Sequence, residues 1–296
     1  MLTYTDYSTY LSRYFSVKMQ KLTVDARFTC PNRDGTKGRG GCIYCNNHSF
    51  SPSVAGDDVP VSAQLEAGKH FFGRKYPDMR YLAYFQSYTN TYDSPDRLMM
   101  LYREALAVDG VDGLIIGTRP DCVSDALLSE LSSLAREHYI MIEYGAESSH
   151  DSTLRLVNRC HTWADTVSAV ERTSAAGIHV GLHLIMGLPG ETREMMLETV
   201  DRCCRLPVDV LKLHQLQVIR GTRLAGMTDG LKLFTVDGYL DLCVDVVRRV
   251  PRRIAVERFT SSAPRELLIA PHWDLKNYEF VNLLKKRLRD EDAVCE

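Results

Sequence analysis

Strand-like and helix-like segments alternate along this chain from residue 80 onward, and few folds accommodate such an alternation. Strand patterns fall at 80–86, 113–117, 139–144, 179–186 and 210–217. Helical patterns fill the gaps at 95–107, 124–137, 162–176 and 192–205. An earlier strand-like stretch covers 21–26. The spacing is roughly 30 residues, the length of a strand plus a right-handed helical crossover. Six such units predict an α/β fold, a parallel sheet curled into a partial (βα)6 barrel. The stretch 230–296 leaves the repeat and reads mainly as helix and loop. The expected organisation is a core over 1–229 and a C-terminal helical and loop extension over 230–296, a candidate substrate-binding region.

The strands have two unlike faces, because successive residues point opposite ways. Over 210–217, Leu211 and Leu213 oppose Lys212 and His214. Over 139–144, Ile140 and Ile142 oppose Met141 and Glu143. Over 179–186, Val180, Leu182 and Leu184 oppose His179, Gly181 and His183. Over 80–86, Tyr81, Ala83 and Phe85 oppose Tyr84 and Gln86. The apolar set is expected against the helices. The other set then faces the barrel interior, and it is rich in polar groups. A closed eight-stranded barrel fills its interior with branched apolar side chains, so a polar interior suits a more open barrel around a large polar ligand. A register slipped by one residue would exchange the faces.

Cys30, Cys42 and Cys45 flank one glycine-rich loop that leaves the first strand. The two-residue gap between Cys42 and Cys45 lets both thiolates reach one centre, and the loop lets Cys30 return to it. Three soft thiolates suit an iron–sulfur cluster or zinc. A four-iron cluster on three cysteines leaves one iron open to a small molecule. In the zinc alternative His48 completes a structural Cys3His site. The other six cysteines, Cys122, Cys160, Cys203, Cys204, Cys243 and Cys295, read as small reduced side chains. A net charge of -2 does not announce nucleic-acid binding, so any such binding needs a local basic patch. No apolar run approaches bilayer-spanning length, and the first residues lack a basic start followed by an apolar stretch. The expectation is a cytoplasmic protein with no membrane partner.

Ligands collect at the carboxyl ends of strands in parallel βα folds, and the distinctive peptides fall there. They are the cysteine loop, Gln86-Ser-Tyr-Thr-Asn-Thr-Tyr92, Gly117-Thr-Arg-Pro-Asp121, Glu143-Tyr-Gly-Ala-Glu-Ser148 and Gly187-Leu-Pro-Gly190. His183, Lys212 and His214, on the inferred inner face, are candidates to orient substrate or move a proton.

With these peptides on the page, residues 22–225 resemble the radical S-adenosylmethionine (SAM) superfamily. Cys-Pro-Asn-Arg-Asp-Gly, Tyr-Phe-Gln-Ser-Tyr-Thr-Asn-Thr-Tyr, Asn158-Arg-Cys-His-Thr162 and Val218-Ile-Arg-Gly-Thr222 resemble its YtqA/YhcC-type branch. That branch is related to the radical SAM domain of the Elongator catalytic subunit. The long gap from Cys30 to Cys42 departs from the common Cys-x3-Cys-x2-Cys form. The resemblance implies a TIM-like partial barrel and a [4Fe–4S] cluster on Cys30, Cys42 and Cys45, with SAM on the open iron. It implies that Tyr44 contacts adenine and that Gln86 and Ser87 stand where most members carry Gly-Gly-Glu for the SAM amino group. Glu143, Glu147 and Ser148 occupy the ribose-contact region, Arg159 is the partner for the SAM carboxylate, and Gly187, Gly190 and Ile219 close on adenine. A reducing electron donor such as flavodoxin or ferredoxin is implied as well.

The implied chemistry is hydrogen abstraction by a 5′-deoxyadenosyl radical. The branch points to tRNA as substrate, at the carbon-5 side chain of wobble uridine in the carboxymethylaminomethyl and aminomethyl series. Arg248, Arg249, Arg252, Arg253, Arg258 and Arg265, with Lys285, Lys286, Arg287 and Arg289 further on, form the candidate phosphate-binding patch. The alternatives are radical SAM chemistry on a small metabolite and a non-catalytic zinc-binding protein.

Overall fold

The computed structural model describes residues 4–46, 59–74, 76, 78–227 and 230–294. His48 and Cys295 lie outside the described residues. The strands are β1 (Thr5–Asp6), β2 (Met19–Val24), β3 (Arg80–Phe85), β4 (Val111–Thr118), β5 (Tyr139–Glu147), β6 (His179–Met186), β7 (Val210–Gln215), β8 (Val218–Ile219), β9 (Ala255–Arg258) and β10 (Leu268–Ala270). The helices are α1 (Tyr7–Leu11), α2 (Val61–Gly73), α3 (Pro95–Leu106), α4 (Asp125–Leu134), α5 (Asp151–Leu156), α6 (Trp163–Ala175), α7 (Arg193–Cys204), α8 (Val236–Arg249) and α9 (Asn277–Val294).

Eight strands form one sheet in the order β1-β9-β7-β6-β5-β4-β3-β2, and every pairing within it is parallel. The sheet curls into a half-barrel with helices outside. Its curl is tight enough that Lys21 on β2 reaches Glu257 on β9, near the opposite edge, at 2.5 Å. The six expected strands are β2 to β7, side by side in chain order. The C-terminal stretch is mostly helix and loop, and it also adds β9 to the sheet. No alternation flags β9, because Ala-Val-Glu-Arg is only four residues long. β10 pairs antiparallel with β8 in a separate ribbon.

The face assignment holds along each of the four strands. Tyr81, Ala83, Phe85, Ile140, Ile142, Val180, Leu182, Leu184, Leu211 and Leu213 all join the core between sheet and helices. Ile142, Leu182 and Leu213 are fully buried, each contributing about 1.5–3 kcal/mol by burial. Side-chain caps set where several helices begin. Thr162 and Asp165 form a reciprocal capping box at α6, which satisfies two backbone donors that have no helical partner. Gly113 lets β4 approach β5, since a Cβ there would sit 2.1 Å from the Tyr139 carbonyl oxygen.

Inside the half-barrel the amino ends of the strands are plugged. Tyr10 and Leu11 of α1 pack with Leu82, Ile115, Tyr139, Met141, Val210 and Ala255. A third cluster, Ile43, Val157, Leu188, Leu216, Val218 and Leu224, binds the loops at the carboxyl ends into one cap. Between plug and cap the inner face is polar. No helix among the described residues is long and apolar enough to cross a membrane.

Candidate active site

The chain between β2 and α2 begins with a tight turn in which the Arg33 and Asp34 amides donate to the Cys30 carbonyl. Gly40 and Gly41, at φ +78° and +72°, turn it back toward Cys42 in a conformation that glycine adopts freely. The peptide Asn158-Arg-Cys-His-Thr162 straps this loop down. Asn158 donates to the carbonyls of Arg39 and Gly41, and Asn32 donates to the Asn158 carbonyl. The Ile43 amide donates to the Val157 carbonyl at 3.0 Å. From above, the Asn46 side chain donates to the Arg220 carbonyl and Leu224 N–H to the Ile43 carbonyl.

Cys30, Cys42 and Cys45 then line one cavity of about 260 Å³. Tyr44, Gln86, Glu143, Glu147, Arg159, His183, His214 and Ile219 line it too. Five expected residues lie outside its wall. Ser148 is buried and donates to Glu191. Ser87 is buried beside the wall. Gly187 approaches a flat ring, but that ring is Phe234, 3.2 Å from where its Cβ would be. A Cβ on Gly190 would meet Leu156 instead. Lys212 is buried below the floor.

The wall by the cysteines carries three guanidinium groups, of which Arg33 donates to the Cys45 carbonyl at 2.8 Å. Arg159 donates to Cys42 Sγ at 3.6 Å and to the Gly145 carbonyl at 2.7 Å, and lies 3.5 Å from Glu147. Burial pushes the Glu147 carboxyl up against the pull of Arg159 and Arg119. Arg119, singled out only as part of Thr-Arg-Pro-Asp, grips Asp121 with Nε and Nη2 at 2.9 and 3.1 Å. Asp121 also accepts from Lys37 at 2.7 Å, which ties the cysteine loop to the end of β4. Burial opposes ionisation of Asp121, but Arg119 and Lys37 outweigh it and hold its carboxyl at about 2. Arg119 Nη1, Arg159 Nε and Thr89 Oγ1 are buried and unpaired. Leaving three buried polar groups without partners is costly, so this wall is made to receive a polar ligand.

The floor is a charge network. Glu143, 1% exposed, accepts from Lys21 at 2.8 Å, His183 Nε2 at 2.7 Å and Lys212 at 3.1 Å. Glu257 pairs with the same two lysines at 2.5 and 3.2 Å. Burial alone would raise the Glu143 carboxyl, but Lys21 and Lys212 hold it well below the usual range. Burial, followed by Lys212, pushes His183 down to about 4. At neutral pH its Nε2 therefore carries the proton given to Glu143, and Nδ1 is left as a proton acceptor. His214 is pushed well down by burial and by Arg258. Arg258, expected only as one arginine of the phosphate-binding patch, lines the cavity beside it. Nothing in the run Ala-Val-Glu-Arg marks that role.

Apart from Arg258, the leading residues of the expected phosphate patch are elsewhere. Arg248, Arg249, Arg252 and Arg253 are exposed, but they fall on the segment that enters β9, at the amino ends of the parallel strands. The cavity opens at the carboxyl ends. Arg249 pairs with Asp201 at 2.7 Å, and Arg253 donates to the Cys204 carbonyl. Lys285 and Arg289 lie on α9. These six side chains do not line the cavity.

The fold and this cavity find clear relatives. The protein YtqA of Bacillus subtilis is 33% identical over 286 residues, covering 96% of this chain and 89% of that protein. YhcC of Escherichia coli K12 is 37% identical over 269 residues, covering 89% and 85%. The tRNA uridine(34) acetyltransferase of Methanocaldococcus infernus is 31% identical over 117 residues, 38% of this chain and 21% of that protein. Among solved structures, Elp3 of the same archaeon matches with a TM-score of 0.68 at 17% identity, over 93% of this chain and 64% of that one. The radical SAM superfamily model matches residues 34–203, and the radical SAM C-terminal domain model matches 208–290. The cysteine-lined cavity at the carboxyl ends of a parallel half-barrel thus sits on a chain that belongs to the radical SAM superfamily of enzymes, which use a [4Fe–4S] cluster and SAM.

Proposed function

We infer that Cys30, Cys42 and Cys45 hold the four-iron cluster and that the enzyme remodels the carbon-5 side chain of a wobble uridine in tRNA. The observation that carries the first half is that three thiols and three unpaired buried donors line a single cavity. The donor set fits the group. Three thiolates suit iron–sulfur ligation, and Arg159 donates to Cys42 Sγ at 3.6 Å. Among the described residues no three His, Cys, Asp or Glu side chains group closely enough for a single metal ion.

When bound, cluster and SAM supply a 5′-deoxyadenosyl radical able to take hydrogen from an unactivated carbon. The chain's own residues aim that chemistry. Arg119 and Arg159 offer charged donors to the anionic and hydroxyl groups of the cofactor. Tyr44, Glu147 and Ile219 border it, and Gln86 faces the same space. His183 Nδ1 is a proton acceptor oriented by Glu143, and His214 stands next to it with rings 5.4 Å apart. Lys212 acts below them as a positioning residue for Glu143.

The tRNA reading is supported by the name of the acetyltransferase relative, whose similarity covers part of this chain. We assign the 230–296 segment to the substrate side, because Arg258 of β9 and the 261–263 stretch complete the wall of the cavity that the cysteines also line. The distance of Arg248–Arg253 from the opening favours a small nucleic-acid footprint, and it equally suits a small metabolite. Mass spectrometry of nucleosides from the tRNA of a deletion strain tests the reading. The expected result is accumulation of the carboxymethylaminomethyl form at the expense of the aminomethyl series. Unchanged wobble nucleosides would move the assignment to a small metabolite.

A further inference from the structure

The floor holds one more cation than it needs. Lys21 and Lys212 are both bridged to both Glu143 and Glu257. These four ion pairs match two ammonium groups with two carboxylates. Arg258 stands beside them and makes no ion pair with any carboxylate among the described residues. Its Nη2 donates to the His214 ring at 3.0–3.1 Å, and its Nε is buried without a partner. His214 and His183 are neutral, so they do not compensate it. Three cations against two carboxylates leave one positive charge at the cavity wall.

The backbone aims this arginine on purpose. Along β7 and β9, Leu211 pairs with Val256, and the next pair is Lys212 with Arg258. Glu257 is the extra residue of a bulge, so two residues of β9 oppose one of β7. In an unbroken strand Glu257 and Arg258 would face opposite ways. With the bulge, Glu257 reaches the lysines while Arg258 also reaches the cavity.

We propose that Arg258 binds a carboxylate on the substrate, which makes it a specificity-determining residue in the cavity that the cysteines line. The planar guanidinium matches a carboxylate geometrically, and one excess charge matches a monoanion. A phosphodiester carries two bulky sugars on its oxygens, whereas a carboxylate at the end of a side chain presents both oxygens freely. The proposal rests on the wobble-uridine reading, in which the carboxymethylaminomethyl side chain ends in a carboxylate.

The test is equilibrium binding to the reconstituted holoenzyme under anaerobic conditions. The probes are 5-carboxymethylaminomethyluridine, 5-aminomethyluridine and N-methylglycine, which copies the side-chain end without the uridine. The native protein should prefer the carboxylated nucleoside by about tenfold to a hundredfold. Arg258→Gln should reduce that preference to about twofold or less, and Arg258→Lys should keep an intermediate one. If Arg258→Gln does not fold, the lysine variant decides. A preference cut threefold or more supports the proposal and an uncut one overturns it. Equal binding of the two nucleosides by the native protein, or a preference that survives Arg258→Gln, overturns the carboxylate contact and leaves the wobble-uridine reading standing. Arg258-dependent binding of N-methylglycine without binding of either nucleoside keeps the contact and removes the uridine. No binding of any probe overturns the contact.

Discussion

Replacing Glu143 with glutamine tests the charge network at the cavity floor. The carboxylate is 1% exposed and accepts from Lys21, His183 and Lys212 at 2.7–3.1 Å. Glutamine keeps the shape, removes the charge and points an amide N–H at an ammonium donor. Glu257 would then face both lysines alone, in a wall that already contains Arg258. Breaking a buried ion pair from one side costs about 3–5 kcal/mol. A domain holds only about 5–15 kcal/mol in total, so the loss is large. Urea unfolding followed by circular dichroism, on the same protein at pH 7.5, should show it. The double variant Glu143→Gln with Lys212→Met should recover at least half, because the uncompensated ammonium goes with the carboxylate. A loss under about 1 kcal/mol for Glu143→Gln, or a double variant that costs the sum of the single ones, would refute the network.

Other perturbations follow from the same geometry. His183 is held at about 4 when folded against about 6.5 unfolded, so the unfolded chain takes up its proton first as pH falls. Stability is therefore lost from about pH 6.5 down to about 4, by about 2 kcal/mol between pH 7 and 5. His183→Gln should flatten that part of the pH–stability curve, and an unchanged slope would show that the ring does not stay neutral. Gly187→Ala forces a side chain onto φ +90° and into the Phe234 ring. It should cost about 1–2 kcal/mol, read as a melting point lower by several degrees; an unchanged melting point speaks against the turn. Gly113→Ala, whose Cβ would overlap the Tyr139 carbonyl, should abolish soluble folded protein. Glutamate at Arg248, Arg249, Arg252 and Arg253 together should change kcat/KM for tRNA less than twofold if substrate enters at the carboxyl ends of the strands. A loss of tenfold or more would restore that patch to the binding surface.

Much of this was readable from the chain because period-2 and helical patterns are strong where a sheet is buried on one side by helices. Leu211 and Leu213 against Lys212 and His214 gave the correct inner face, and four of the five strand-end peptides did gather at one cavity, Gly-Leu-Pro-Gly lying outside its wall. What stayed hidden depends on departures from the regular pattern. β9 has four residues, too few for alternation to register, and its bulge turns Arg258 inward by breaking the rule that reads faces. Ser148 was placed by its position in a peptide, but β5 bulges at Ala146 and Glu147 takes φ +64°, which aims Ser148 at Glu191. The arginine cluster is a conspicuous composition, yet its place at the amino ends of the strands appears only once β9 is known to run parallel to β7. Gly187 of Gly-Leu-Pro-Gly does allow close approach to a ring, and that ring, Phe234, belongs to the protein.

The account rests on the three cysteines acting as one centre, and anaerobic reconstitution with iron and sulfide tests that most directly. The native protein should take up about four irons per chain, show a cluster absorption band, and form 5′-deoxyadenosine from SAM on reduction. Cys42→Ala should lose cluster and cleavage together. Tightly held zinc with no SAM cleavage, or a Cys42→Ala protein that keeps a full cluster, would contradict it.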